Sequence, residues 1–109
     1  MRIILSIKPE FAHKIFSGEK KFEFRRTIFK NVNVKTVIVY ASSPVQKIIG
    51  EFEIENVLND DIHNLWNKTK KHSGIPKEYF LEYFVDKKYG YAIKIKKTRT
   101  KTFINNFYL

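Results

Sequence analysis

The chain opens with a short apolar run, Ile3-Ile4-Leu5-Ser6-Ile7, whose near-continuous hydrophobicity predicts a buried strand. Pro9 follows where proline is tolerated, in the first turn of a helix, and Glu10 suits the positive end of that helix. Phe11, Ala12, Ile15 and Phe16 recur at helical spacing on one face, and Gly18 stops the helix as a left-handed cap. Phe22 and Phe24 then alternate with Lys21, Glu23 and Arg25. This is the period of a strand, with the phenylalanines on one face and the charges on the other. Thr36 to Tyr40 reads as a second buried strand that breaks at Ser42-Ser43-Pro44. Ile48 to Glu55 is the clearest strand, with Phe52 and Ile54 pointing one way and Glu51, Glu53 and Glu55 the other. Gly50 marks a bulge or a close backbone approach within it.

Asn59-Asp60-Asp61 reads as a helix N-cap followed by acidic first-turn residues, and Ile62, Leu65, Trp66 and Thr69 continue at helical spacing towards Gly74. Pro76-Lys77-Glu78 opens another helix. Trp66 is assigned to the core, as is the cluster Tyr79-Phe80-x-x-Tyr83-Phe84. Tyr89 to Lys96 returns to strand. The order β-α-β-β-β-α-α-β predicts a small α+β domain built on a curled sheet. Without repeats, low-complexity tracts or a Pro/Gly/Ser-rich linker, residues 1–109 read as a single domain.

Composition narrows the class. With 43% hydrophobic and 16% aromatic residues in 109, the chain can build one core, burying about two-thirds of its surface, and disorder is excluded. It has no cysteine, which removes disulfides, thiolate zinc sites and thiol nucleophiles. No apolar run approaches the ~18–20 residues of a membrane helix, and the N-terminal stretch is too short for a signal peptide. A cytoplasmic location is expected. Lys and Arg number 21 against 11 Asp and Glu, a net charge of +10 that suits a polyanionic partner. Only four of these bases are Arg, and abundant Lys also serves solubility. The bases gather at Lys20-Lys21, Arg25-Arg26, Lys68 to Lys71 and Lys94 to Lys101. The last run resembles a strand with one wet face, where lysines also guard an edge against aggregation.

The densest chemistry lies in Ser17-Gly18-Glu19-Lys20-Lys21-Phe22-Glu23-Phe24-Arg25-Arg26, where a base, an acid and a base follow a helix end. Such a group binds a phosphate or carboxylate bidentately through Arg25, with Glu23 orienting the guanidinium or accepting from a base edge. The bland alternative is an exposed ladder of ion pairs worth ~0–1 kcal/mol each. The spacing Gly18-x-Lys20-x-x-Glu23-x-Arg25 matches the G-x-K-x-x-E-x-R signature of the ASCH superfamily of PUA-like domains. The flanks resemble it too: Leu5-Ser6-Ile7-Lys8-Pro9-Glu10-Phe11-Ala12 before the motif, Tyr40-Ala41-Ser42-Ser43-Pro44 and Ile49-Gly50-Glu51-Phe52 after it, and Gly90-Tyr91-Ala92-Ile93 as a closing strand. The resemblance covers residues 2–97. It implies a small curled-sheet β-barrel of the PUA-like type with two or three helices packed outside, and a cleft at Lys20, Glu23 and Arg25 that holds a base or nucleotide. Ser6, Lys8, Tyr40, Ser42 and Ser43 are expected to join that cleft, and Lys21 and Arg26 to flank it. Tyr40 either stacks on a base, worth ~1–3 kcal/mol, or fills the barrel. Ser42 and Ser43 also suit a plain turn before Pro44.

Two functions follow from the resemblance. One is a nucleic-acid or nucleotide-binding module, with RNA or a modified base favoured and a regulatory role in transcription or translation. The other is a small metal-independent hydrolase using Lys20 and Glu23 as catalytic residues in the same cleft. It would be an amidohydrolase of acetylated nucleosides or a ribonuclease. Of the amidohydrolase-type apparatus Lys20 carries over, whereas Glu23 stands where that family has a threonine and Ser73 or a neighbour where it has a glutamate. As a ribonuclease, Lys20 would stabilise phosphate charge while Glu23 or a histidine moved protons. His13, His63 and His72 lie on or beside helices without metal-ligand spacing. No cofactor, metal or membrane is expected, and the chain should be a monomer or weak dimer.

Overall fold

The computed structural model describes residues 1–100. Its elements are β1 (Arg2–Ile7), α1 (Pro9–Ser17), β2 (Phe22–Arg25), β3 (Thr36–Ala41), β4 (Lys47–Asp61), α2 (Ile62–Thr69), α3 (Lys77–Tyr83) and β5 (Tyr89–Thr100). A 3₁₀ turn spans Lys70–His72. This is the order expected from the hydrophobic pattern.

The five strands form one curled half-barrel in the spatial order β1-β3-β4-β5-β2. β1 pairs with β3 in parallel, and the other neighbours are antiparallel. A parallel pair needs a crossover, and α1 begins it. The same helix links the two edge strands, β1 and β2, and packs against β3 and β5. Gly18 ends α1 at φ +86°, the left-handed cap its position predicts.

Burial divides between two clusters. Ala12 and Ile15 of α1 meet Ile7, Val37, Val39, Phe52 and Ile93 in one. Phe22, Phe24 and Ala92 meet Leu65, Ile75, Phe80 and Phe84 beneath α2 and α3 in the other. Ala92 and Ile93 are successive strand residues, so β5 feeds opposite clusters from its two faces. Phe11 packs against both. Trp66 is half-buried against Phe80, with ring centroids 5.0 Å apart.

Three expectations change. Asn59 and Asp60 do not begin a helix: β4 runs on to Asp61, because 56–61 pairs with the first half of β5. Asp61 alone is the cap, its carboxylate accepting from Asn64 N–H at 2.8 Å. The next helix ends at Thr69 and tightens into the 3₁₀ turn before reaching Gly74. Finally, β2 has no wet face. Glu23 is as buried as Phe22 and Phe24, so the exposed ion-pair ladder is not formed. Among the described residues the lysine-rich end of β5 has no strand neighbour on one side, since β2 pairs only with Tyr91–Lys94. Lys101, the last base of that run, lies outside the described residues, as do the final residues of the expected 1–109 domain.

Gly50 is a close-approach position. A Cβ there would lie 2.5 Å from the Arg99 carbonyl oxygen and 2.5 Å from the Phe16 ring. The first neighbour is backbone and cannot step aside. Gly50→Ala should therefore cost about 1–3 kcal/mol as an overpacked site and lower Tm by at least about 4 °C in a thermal melt followed by circular dichroism. An unchanged Tm would show that β4 and β5 are not this close.

Candidate functional site

Where α1 ends, the chain must turn into β2 within a few residues, and Lys20 falls inside that turn. Its backbone N–H donates to Lys14 O at 2.9 Å, and the next N–H, of Lys21, donates to His72 O at 2.9 Å. Side chains at the two positions diverge. Lys21 is exposed, whereas Lys20 is 2% exposed, one of the most deeply buried large side chains described.

The buried ammonium has few partners. Lys20 Nζ donates to the Ser73 carbonyl at 2.6 Å and lies 4.7 Å from the Phe24 ring centroid and 5.5 Å from that of Phe11. These are cation–π distances. Gly74 makes room for it: at φ +69° it has the left-handed backbone that favours glycine, and a Cβ would strike the Lys20 stem at 2.6 Å. Lys14 Nζ donates to Gly74 O at 3.1 Å, so two lysines clamp successive carbonyls of one turn.

Glu23 lies on the same pocket. Its Oε2 accepts from Arg25 Nη1 at 3.4 Å, while Oε1 has no partner within the described residues. Because no buried polar side-chain atom lacks a hydrogen bond, Oε1 is open to the pocket rather than sealed. Lys20 and Glu23 form no ion pair within 4.0 Å of each other. A cation and an anion thus face one cavity without closing on each other.

That cavity holds about 190 Å³ and is lined by Ser6, Lys8, Phe11, Lys20, Glu23, Phe24, Ile75, Tyr79 and Tyr83. Its volume is that of about six liquid waters and lies below the usual range for drug-sized ligands, which suits one small planar group. Tyr79 meets Phe11 edge-on at 5.1 Å, and Lys8 Nζ sits 5.3 Å from the Tyr79 centroid. The Tyr83 hydroxyl donates to Phe24 O at 3.0 Å and so ties α3 to β2.

Electrostatics follow from burial. Desolvation pushes Lys20 down to about 8, against the pull of Glu23 and with help from Lys14. Desolvation also raises Glu23 above the ordinary carboxyl range, opposed by Lys20 and Arg25. Burial likewise raises the Tyr83 phenol.

The structure brings Ser6, Lys8, Lys20 and Glu23 together in the pocket, with Arg25 behind Glu23. Other expected site residues lie elsewhere. Lys21 faces a separate hollow with Lys70 and Lys71. Arg26 Nη1 donates to Tyr83 O at 2.8 Å and Val85 O at 2.9 Å, fastening β2 to the C-terminal end of α3. Tyr40 pairs in register with Ser6 but does not line the pocket, nor do Ser42 and Ser43 in the turn after β3. Tyr79 and Tyr83, expected in the core, are half-buried and line the cavity. Phe11, Ile75 and the Ser73 carbonyl are further site members. Gly74, in Ser73-Gly74-Ile75-Pro76, is the sequence sign that a turn passes close to something there. His13, His63 and His72 are all exposed. Among the described residues, no three His, Asp or Glu converge to hold a metal, and no helix is long and apolar enough to cross a membrane.

The buried ammonium predicts a titration. Lys20 should titrate near pH 8 by NMR of its ¹³Cε, with Glu23→Gln moving the midpoint down and Lys14→Met moving it up. Between pH 8 and 10.5 the unfolded chain holds a proton that the folded chain has lost. Stability should therefore rise with pH across that window, by up to about 3 kcal/mol. A midpoint above 10 would show that Lys20 is solvated.

An ASCH domain family model matches residues 5–99. The ASCH domain-containing ribonuclease of Zymomonas mobilis is 32% identical over 81 residues, 74% of this chain and 55% of that protein. Large ribosomal subunit protein uL22 of Ureaplasma parvum is 35% identical over 96 residues, 87% of this chain and 30% of that one. The chain therefore spans about half of the first relative and less than a third of the second. The crystal structure of ASCH from Zymomonas mobilis superposes with a TM-score of 0.83 at 28% identity, covering 89% of this chain and 68% of that one. With a family model matching residues 5–99 and the half-barrel shared with the Zymomonas structure, the chain belongs to the ASCH domain family.

Proposed function

We propose that the pocket receives one unstacked base of an RNA strand, and that the domain is an RNA-binding module. The observation that carries this reading is the open pair: Lys20 and Glu23 face one aromatic cavity without bonding to each other. The Watson–Crick edge of a base sets donors beside acceptors, so a single edge answers both the carboxylate and the ammonium. Single-stranded bases are also read by stacking on aromatic faces, which Tyr79 offers. Lys8, exposed above Tyr79, would be displaced by the base towards the adjoining phosphate, and Arg25 adds positive charge behind Glu23.

A second reading, RNA cleavage at the same pocket, is favoured by the two shifted groups and by the relative named a ribonuclease. In that chemistry the 2′-hydroxyl attacks the adjoining phosphorus, Glu23 accepts its proton, and the Lys20 ammonium donates to the departing 5′-oxygen. The products are a cyclic phosphate and a free 5′-hydroxyl. Cleavage needs Glu23 ionised and Lys20 protonated, so the rate should fall above about pH 8.

Fluorescence anisotropy with a labelled single-stranded RNA tests the binding reading. Tyr79→Ala should weaken binding about 5- to 100-fold, as expected for a lost base stack, and Glu23→Gln should weaken it further. Wild-type affinity in both variants would overturn the pocket as the binding site. For the second reading, the wild type should cut RNA in EDTA and Lys20→Met should not. An intact substrate in the wild-type reaction leaves binding as the function.

A further inference from the structure

Beyond the 70–75 segment from the aromatic pocket lies a second feature, unused by the reading above. Two hollows of about 220 and 420 Å³ adjoin there and share Lys21 and Lys94. Lys68, Lys70 and Lys71 come from α2 and the 3₁₀ turn, and Lys94, Lys96 and Lys97 from β5, with Lys21 between the two groups. Against these seven lysines, and the buried Lys20 that also borders the larger hollow, the lining carries one carboxylate, Glu55, and Lys94 already binds it at 2.9 Å. Lys68 is held by Asp60 at 2.6 Å. The other five, Lys21, Lys70, Lys71, Lys96 and Lys97, are exposed and have no carboxylate within 4.0 Å among the described residues.

Five uncompensated like charges on neighbouring walls repel one another and destabilise the surface they share. The groove thus presents a field that a polyanion relieves. Its shape narrows the choice. Two adjoining hollows that share Lys21 and Lys94, with Phe16, Phe22 and Ile95 also in their lining, suit an elongated strand better than one compact anion. A membrane surface would call for a basic face with apolar side chains projecting outward, whereas Phe22 is buried and Phe16 and Ile95 are half-buried.

We infer that this groove is a second nucleic-acid site, a track for the sugar–phosphate backbone of single-stranded RNA separate from the base pocket. The identity of the polyanion as RNA rests on the function proposed above; the groove and its charge do not. The backbone track contributes salt-sensitive, sequence-independent affinity, and the pocket holds one base.

The test is a salt series. Anisotropy with labelled single-stranded RNA gives the slope of log affinity against log salt for the wild type and for a variant with Lys70, Lys71, Lys96 and Lys97 all changed to Ser. With about 0.7 lost per phosphate contact, the variant's slope should be shallower by roughly 2 to 3, and its affinity at low salt at least about tenfold weaker. The matching variant with all four lysines changed to Arg should bind like the wild type, which separates charge from folding. Binding of a nucleoside monophosphate at the pocket, followed by NMR shifts at Tyr79, should be the same in all three proteins. An unchanged slope in the Ser variant overturns the groove. So does wild-type binding to phosphatidylserine vesicles that needs these lysines while RNA binding does not. A monophosphate that leaves Tyr79 unmoved while the slope still changes removes the pocket reading and leaves the groove standing.

Discussion

The placement of one ammonium group organises this molecule's surface. Taking a charged lysine out of water is costly unless its hydrogen bonds and charge are answered. Lys20 is answered only in part: one short bond to the Ser73 carbonyl, two aromatic faces, and the field of a glutamate that does not touch it. That partial answer leaves the pKa near 8, leaves Glu23 Oε1 open, and fixes the turn at Gly74, where any side chain would displace the lysine stem. The incompletely paired ammonium in an aromatic cavity is the feature on which the proposed binding of a base rests.

The half-barrel makes that placement feasible. α1 connects the two edge strands, and its end delivers Lys20 between a cluster packed on α1 and one packed under α2 and α3. Tyr83 bonded to Phe24 O and Arg26 bonded to the end of α3 hold β2 against that helix. The pocket walls are thus fixed by side-chain hydrogen bonds to backbone carbonyls together with the edge-on packing of Tyr79 on Phe11. Lys20 and Lys21 then diverge, the first buried against the aromatic pocket and the second exposed in the basic groove.

Much of this was legible in the sequence, and the failures have physical causes. The buried run at Ile3–Ile7, the Pro9 start and the Gly18 stop carry local signals that tertiary structure did not override. The octapeptide from Gly18 to Arg25 supplies Lys20 and Glu23, and the structure brings both into the lining of one cavity. Strand alternation was read correctly at Phe22, Glu23 and Phe24, but periodicity does not say whether the second face is wet. Here Glu23 lies in the wall of the pocket and is buried. Tyr79 and Tyr83 carry the same helical signal whether they fill a core or line a cavity, so their role depended on what lies opposite. The length of β4 was hidden because Asn59-Asp60-Asp61 has cap chemistry, while its partner strand lies some thirty residues away in sequence.

A crystal structure with a bound nucleoside monophosphate tests the central claim most directly. The base should lie against Tyr79 with its polar edge within hydrogen-bond distance, about 2.7–3.2 Å, of Glu23 Oε1, and Lys20 should keep its bond to the Ser73 carbonyl. Density for the nucleotide only in the basic groove, with Lys20 and Glu23 untouched, would contradict it.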